Sequence, residues 1–217
     1  MPVINIAVLV SGSGSNLQAL LDAWKNGVFG SGADTFGKIS LVISDRKGAY
    51  ALERAVNAGV PAVVAEPDKN LPKELRRQEL SDRILDIALA HKTDLLVLAG
   101  FLSILSGKLI GQYSGRIINL HPALLPKFGG DGMYGEHVHR AVIEAGEKES
   151  GCTVHFVDAG TDTGAILLQR RVPVLPGDTP DTLERRIRWE EHLAIVEATA
   201  KIAGRLHEHM ERTGGIK

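Results

Sequence analysis

The feature that most constrains the fold is an alternation in the first half of the chain, where short apolar runs are each followed by a stretch with helical spacing. Residues 4–10 form an apolar run rich in β-branched side chains, closed by a Gly/Ser turn and followed by Leu17, Leu20, Leu21 and Trp24. That reads as strand, loop, helix. Residues 39–43 precede a helical stretch at 49–58, residues 62–65 precede a long amphipathic stretch at 75–91, and residues 95–99 and 117–120 supply two more apolar runs. Strands that are apolar on both faces and separated by helices require a parallel sheet covered on both sides. The expected architecture is therefore α/β and doubly wound, with a Rossmann-like first half.

After Gly151 the texture changes. Residues 153–157 and 166–174 are strand-like, and only the turn 158–164 separates them, which predicts an antiparallel pair at the sheet edge. A last helix is expected from Pro180 to about His209, with a frayed tail at residues 213–217. With 217 residues, 44% hydrophobic and 24% charged, the chain suits one well-buried domain, and no linker or repeat divides it. A formal net charge of -1, with only short Arg pairs, lacks the footprint of a nucleic-acid binder. Cys152 is the single cysteine, which excludes an intrachain disulfide framework and fits a reducing compartment. The amino-terminal apolar run is too short to span a bilayer and has no basic flank, so neither export nor membrane attachment is expected.

Three groups of residues could carry chemistry. The first turn, Ser11-Gly12-Ser13-Gly14-Ser15-Asn16, leads into a helix whose unpaired N–H groups and positive dipole end suit a phosphate. A doubly wound domain also needs a tight turn of small residues here, and on the turn alone the two readings stand level. Leu17 occupies the place of the third glycine of a dinucleotide fingerprint, which argues against NAD and leaves a monophosphate. The second group is Asn119 and His121, two apart at the end of an expected parallel strand, so both face the same side. Pro122 biases His121 toward an extended backbone, and ligands in open α/β sheets bind at strand carboxyl ends. Third, Asp158 and Asp162 lie in a turn that favours Asp for backbone reasons; Asp162 becomes a candidate only as the carboxylate partner of a working imidazole. His137 and His139, two apart in a helix, do not form a metal pair, Cys152 reads as a small buried thiol, and Trp24 and Trp189 read as packing residues.

Together these segments resemble the phosphoribosylglycinamide formyltransferase family. The resemblance runs through VLVSGSGSNLQAL, VLAGFLSIL, IINLHPALLPKF, GCTVHFVDAGTDTGAILLQ, VPV and GDTPDTL. It implies one formyltransferase domain over residues 1–217, with a phosphate-binding half at 1–100 and a folate-binding and catalytic half at 101–217. By position it implies that Gly14, Ser15 and Asn16 hold a substrate phosphate and that Glu191 holds the substrate near its glycinamide end. Arg77, the backbone of Leu102, Ser103, Ile104 and Leu105, and Asn119 match folate contacts, and Asn119, His121 and Asp162 match a catalytic trio. The chain departs from the pattern at Ser103, where some relatives carry Arg, at Ser13, where some carry Asn, and in lacking Tyr-Pro after Glu191-His192. The loop at residues 129–135 is a further variant.

The implied reaction moves a formyl group from 10-formyltetrahydrofolate to the amine of 5′-phosphoribosylglycinamide in de novo purine biosynthesis. Asn119 would donate to the developing oxyanion, and His121 would act as an imidazolium whose pKa Asp162 raises. No metal is expected, and the expected partners are these small molecules, with a cytoplasmic monomer or weak homodimer. A formyltetrahydrofolate hydrolase, with water in place of the amine, is the alternative. A nucleotide-binding regulatory module would leave Asn119, His121 and Asp162 unexplained.

Overall fold

The computed structural model describes residues 1–214; Gly215, Ile216 and Lys217, the end of the expected frayed tail, lie outside the described residues. Seven strands, β1 (Ile4–Val10), β2 (Gly37–Ser44), β3 (Ala62–Val64), β4 (Leu95–Leu98), β5 (Ile117–His121), β6 (Glu149–Phe156) and β7 (Ile166–Pro173), form one sheet in the order β3-β2-β1-β4-β5-β6-β7. The first five run parallel, and β6 and β7 complete the edge antiparallel. The period of two in β1 divides the core. Ile4, Ile6, Val8 and Val10 face one layer, and Ala7 and Leu9 face the other.

On the first face lie α1 (Ser15–Lys25), α2 (Tyr50–Asn57), α5 (Glu136–Glu144) and α6 (Pro180–Thr213), and on the second lie α3 (Lys73–Ala90) and α4 (Lys108–Gln112). Thr179 caps α6 in a reciprocal box with Thr182, and Pro180 pre-sets its first turn. Cys152 is fully buried, and the apolar surroundings push its thiol up to about 12. Trp24 packs against the core as expected, but Trp189 does not: it is 68% exposed on α6. Helical spacing gave it no fixed face, because α6 buries the neighbouring stripe of Leu183, Ile187, Ala194 and Ile195. Strand β6 also begins four residues before the expected start. At Gly151 an added Cβ would fall 1.9 Å from the Arg170 carbonyl oxygen, so close pairing with β7 explains a glycine that read as a strand boundary.

Because β2 and β4 flank β1 while their connections run in opposite directions, the strand order reverses beside β1. The carboxyl ends of β1, β4 and β5 therefore open on one crevice.

Candidate active site

All the candidate residues, Gly14, Ser15, Asn16, Arg77, Leu102, Ser103, Ile104, Leu105, Asn119, His121, Asp162 and Glu191, line one cavity of about 690 Å³ at that crevice. This is within the size range of small-molecule sites.

At the end toward β1, Gly14 is the N-cap of α1 in the left-handed region, and no side chain caps the first turn. The helix terminus thus keeps donors for a ligand. The turn is braced from α2: Ala51 N–H donates to the Gly12 carbonyl at 3.1 Å and Arg54 Nε to the Ser13 carbonyl at 2.8 Å. Asn16 Nδ2 donates to Glu191 Oε2 at 3.2 Å, joining α1 to α6, while Asn16 Oδ1 is buried with no partner among the described residues. Burial raises the Glu191 carboxyl above its ordinary value, opposed by the Asn16 amide and by Arg188.

The centre is built by strand register. Antiparallel pairing of β5 and β6 sets Asn119 opposite His155 and His121 opposite Thr153. Asn119 Nδ2 lies 3.1 Å from His155 Nε2 and 3.5 Å from Asp162 Oδ1. His155 Nδ1 donates to the Phe156 carbonyl at 2.8 Å, and its Nε2 faces both the Asn119 amide and, at 3.5 Å, Asp162 Oδ1. The buried Thr153 hydroxyl donates to the Ala123 carbonyl at 2.6 Å and accepts from Leu125 N–H at 3.0 Å and Gln169 Nε2 at 2.9 Å. It pins the segment that follows His121.

His121 Nε2 donates to the Phe128 carbonyl at 2.8 Å, and its Nδ1 lies 3.5 Å from Asp162 Oδ2. Asp162 has φ 57°, a left-handed conformation that Asp tolerates in turns, and its Oδ2 accepts from Gly130 N–H at 3.0 Å. Burial acts to raise the Asp162 carboxyl, but His155, His121 and the Gly130 N–H outweigh it and hold the group below its ordinary value. For His121 the balance is opposite to the expectation from sequence. Burial pushes the imidazole below its ordinary value, and Asp162 and the Phe128 carbonyl recover only part of that. Spacing in the chain showed the partner and concealed the desolvation.

On the third side, Leu102 N–H donates to the Ser11 hydroxyl at 2.8 Å and Ser103 Oγ to Asp45 Oδ2 at 2.7 Å. Arg77 pairs with Glu74 at 3.4 Å and with Asp131 at 3.7 Å. Ser103, where some relatives carry Arg, thus spends its hydroxyl inside the protein. His139, set aside as a metal ligand, is buried and lines the cavity with Nδ1 unpartnered among the described residues, whereas His137 is exposed.

Sequence reasoning missed His155, Thr153 and the loop from Phe128 to Asp131. The alternation of Thr153 and His155 was readable as one strand face, but its position opposite Asn119 depends on a register that no local signal supplies.

The family profile described as "Formyl transferase" matches residues 4–199. The chain is 42% identical over 187 residues to a phosphoribosylglycinamide formyltransferase of Haemophilus influenzae, covering 86% of this chain and 81% of that protein. It is 45% identical over 197 residues to the trifunctional purine biosynthetic protein adenosine-3 of Drosophila melanogaster, covering 91% of this chain but only 14% of that much longer protein. A solved structure, glycinamide ribonucleotide transformylase 1 from Symbiobacterium toebii, superposes with a TM-score of 0.82 at 42% identity, covering 93% of this chain and 88% of the other. With the profile spanning residues 4–199 and the Haemophilus influenzae relative 42% identical over 81% of its own length, this chain belongs to the phosphoribosylglycinamide formyltransferase family.

Proposed function

We propose that the chain transfers the formyl group of 10-formyltetrahydrofolate to the amine of 5′-phosphoribosylglycinamide in de novo purine biosynthesis. One observation carries the reading: Asn119, His121 and Asp162 converge on a cavity that also holds the uncapped start of α1 and the Glu191 carboxyl. In this reading residues 1–100 supply the phosphate-binding half and 101–217 the folate-binding and catalytic half, with Glu191 reaching back to the ribotide. The cytoplasm is the expected compartment, where the lone Cys152 stays reduced.

The neutral amine attacks the formyl carbon, a C–N bond forms, and the carbonyl electron pair moves onto oxygen. An amide N–H of Asn119 is placed to donate to that oxygen once ligand binding releases it from His155 or Asp162. With His121 Nε2–H held by the Phe128 carbonyl, the neutral ring carries its lone pair on Nδ1. Nδ1 takes the proton from the attacking nitrogen, and the imidazolium so formed faces the Asp162 carboxylate. It then gives the proton to the folate nitrogen as the C–N bond to the formyl group breaks. Depression of the His121 pKa makes the neutral, proton-accepting ring the resting state, and Asp162 supports the charged state that follows.

Mixing the ribotide with 10-formyltetrahydrofolate and following the absorbance of the deformylated folate tests the reading directly. Deformylation that depends on the ribotide supports it. Equal deformylation without the ribotide, with formate released, would assign the hydrolase instead.

Glu191→Ala is expected to raise the ribotide KM about tenfold or more, the size of a lost hydrogen bond to a charged group, and to change the folate KM much less. Because burial raises the Glu191 pKa, its anion is lost as pH falls through a value above the ordinary 4.5. The wild-type ribotide KM should therefore climb more steeply in that acid range than the variant's. Steady-state kinetics across pH checks both; equal changes in the two KM values would refute the assignment.

A further inference from the structure

The loop after His121 is tied to the cavity at neighbouring points. The Phe128 carbonyl holds His121, Gly130 N–H holds Asp162, and the next residue, Asp131, crosses to α3. There its Oδ2 lies 3.2 Å from Lys73 Nζ and its Oδ1 3.7 Å from Arg77. Lys73 and Arg77 stand four apart on α3 and so project to one side, and both line the cavity with Asp131. Gly130 and Gly132, with φ 100° and 87°, let the backbone turn sharply on either side of Asp131.

We propose that Asp131 is a resident anion on a carboxylate-binding rim, which a carboxylate of the folate tail displaces, so that Asp131 sets how strongly the protein prefers a charged tail. This rests on the folate reading above. Lys73 and Asp131 are both exposed, and an exposed ion pair contributes little to stability. Exchange of one carboxylate for another on the same two cations is therefore close to balanced, and ligand concentration decides the occupant. A rim without Asp131 would leave Lys73 unshared and Arg77 paired only with Glu74, and would bind anionic tails more strongly. Displacement also frees the loop one residue from its bond to Asp162, which couples the far end of the ligand to the catalytic carboxylate.

The test is calorimetric titration with two non-transferable reduced folates, one with an ordinary glutamate tail and one with both tail carboxylates converted to amides. Asp131→Asn should bind the charged tail about two- to fivefold more tightly than wild type, the range of one exposed ion pair, and the amide tail equally. Lys73→Ala should narrow the preference for the charged tail. Equal affinity of wild type and Asp131→Asn for the charged tail, or an equal gain for the amide tail, overturns the inference and leaves the formyl-transfer reading in place. If the tail preference shifts as described but no formyl group reaches the ribotide, the inference stands and the reaction assignment falls.

Discussion

Asp162→Asn is expected to lower kcat by roughly 10²–10⁴-fold, the contribution typical of acid/base groups, with the ribotide KM nearly unchanged. The carboxylate lies 3.5 Å from His121 Nδ1 and 3.5 Å from His155 Nε2, and it accepts from Gly130 N–H. In the proposed mechanism, removing its charge takes away the counter-ion of the imidazolium that forms in mid-reaction. The direction of the pH effect follows from the balance at His121. Burial depresses its pKa and Asp162 pushes it back up, so the variant's imidazole should be depressed further. In the proposed mechanism neutral His121 is the proton acceptor, so activity should fail as pH falls through its pKa, which lies below the ordinary 6.5. In Asp162→Asn that acid limb should move to still lower pH while the plateau drops. The double variant with His121→Ala should cost far less than the product of the single losses, because the pair acts as one unit. Profiles of kcat against pH for the four proteins decide this. A wild-type plateau with an unmoved acid limb in Asp162→Asn would remove the carboxylate from the mechanism.

The second large effect is structural. A Cβ at Gly14 would sit 2.6 Å from Ala51 Cβ and 2.9 Å from its Cα, and the residue has φ 74°. Left-handed backbone costs a non-glycine residue about 1–2 kcal/mol, and overpacking adds about 1–3 kcal/mol. Gly14→Ala should therefore destabilise the protein by roughly 2–5 kcal/mol and lower its Tm by about 5–15 °C. An added Cβ at Gly12, two residues away, meets nothing within 4 Å, so Gly12→Ala should melt close to wild type. Thermal melts of the pair check the contrast; equal Tm values would mean that α2 yields to the loop. Gly14, proposed to hold a phosphate, is thus also a packing residue between α1 and α2, and loss of ribotide binding in a Gly14 variant needs a melt beside it before it is credited to phosphate contact.

The parallel part of the sheet was legible because β1, β2, β4 and β5 are apolar on both faces, a pattern that few folds accommodate. Asn119 and His121 were legible because strand periodicity and Pro122 act locally. Asp162 carried a mixed signal, since the turn that makes Asp favourable for its backbone also aims its carboxylate at His121. His155 was not legible: its importance arises from which residue of β5 it faces, and Asn119 is 36 residues away. The direction of the His121 pKa was hidden for a related reason, because desolvation sums over everything packed around a group, whereas a sequence names one partner at a time. Asp131 lay in a loop without periodicity, and its cations sit on a helix more than fifty residues earlier. The exposed Trp189 shows the limit of helical spacing on a long helix with several partners.

Helix α6 has a further consequence, for how the chain reaches this structure. It covers β1, β2, β5, β6 and β7, and its two most distant ties are Glu191 to Asn16, 175 residues apart, and His207 Nδ1 to the Pro2 carbonyl, 205 residues apart. Such contacts give the domain a high contact order, and closing loops of that length favours slow folding. During synthesis β1 emerges before the other strands of this sheet and must wait for all of them before α6, which helps to cover Ile4 and Ile6, exists. Until then α1 and α2 cover that face of β1 only in part. The end of the cavity lined by Asn16 and Glu191 is likewise unfinished until α6 docks, so in the proposed reading a growing chain is not held together by substrate before that helix is in place.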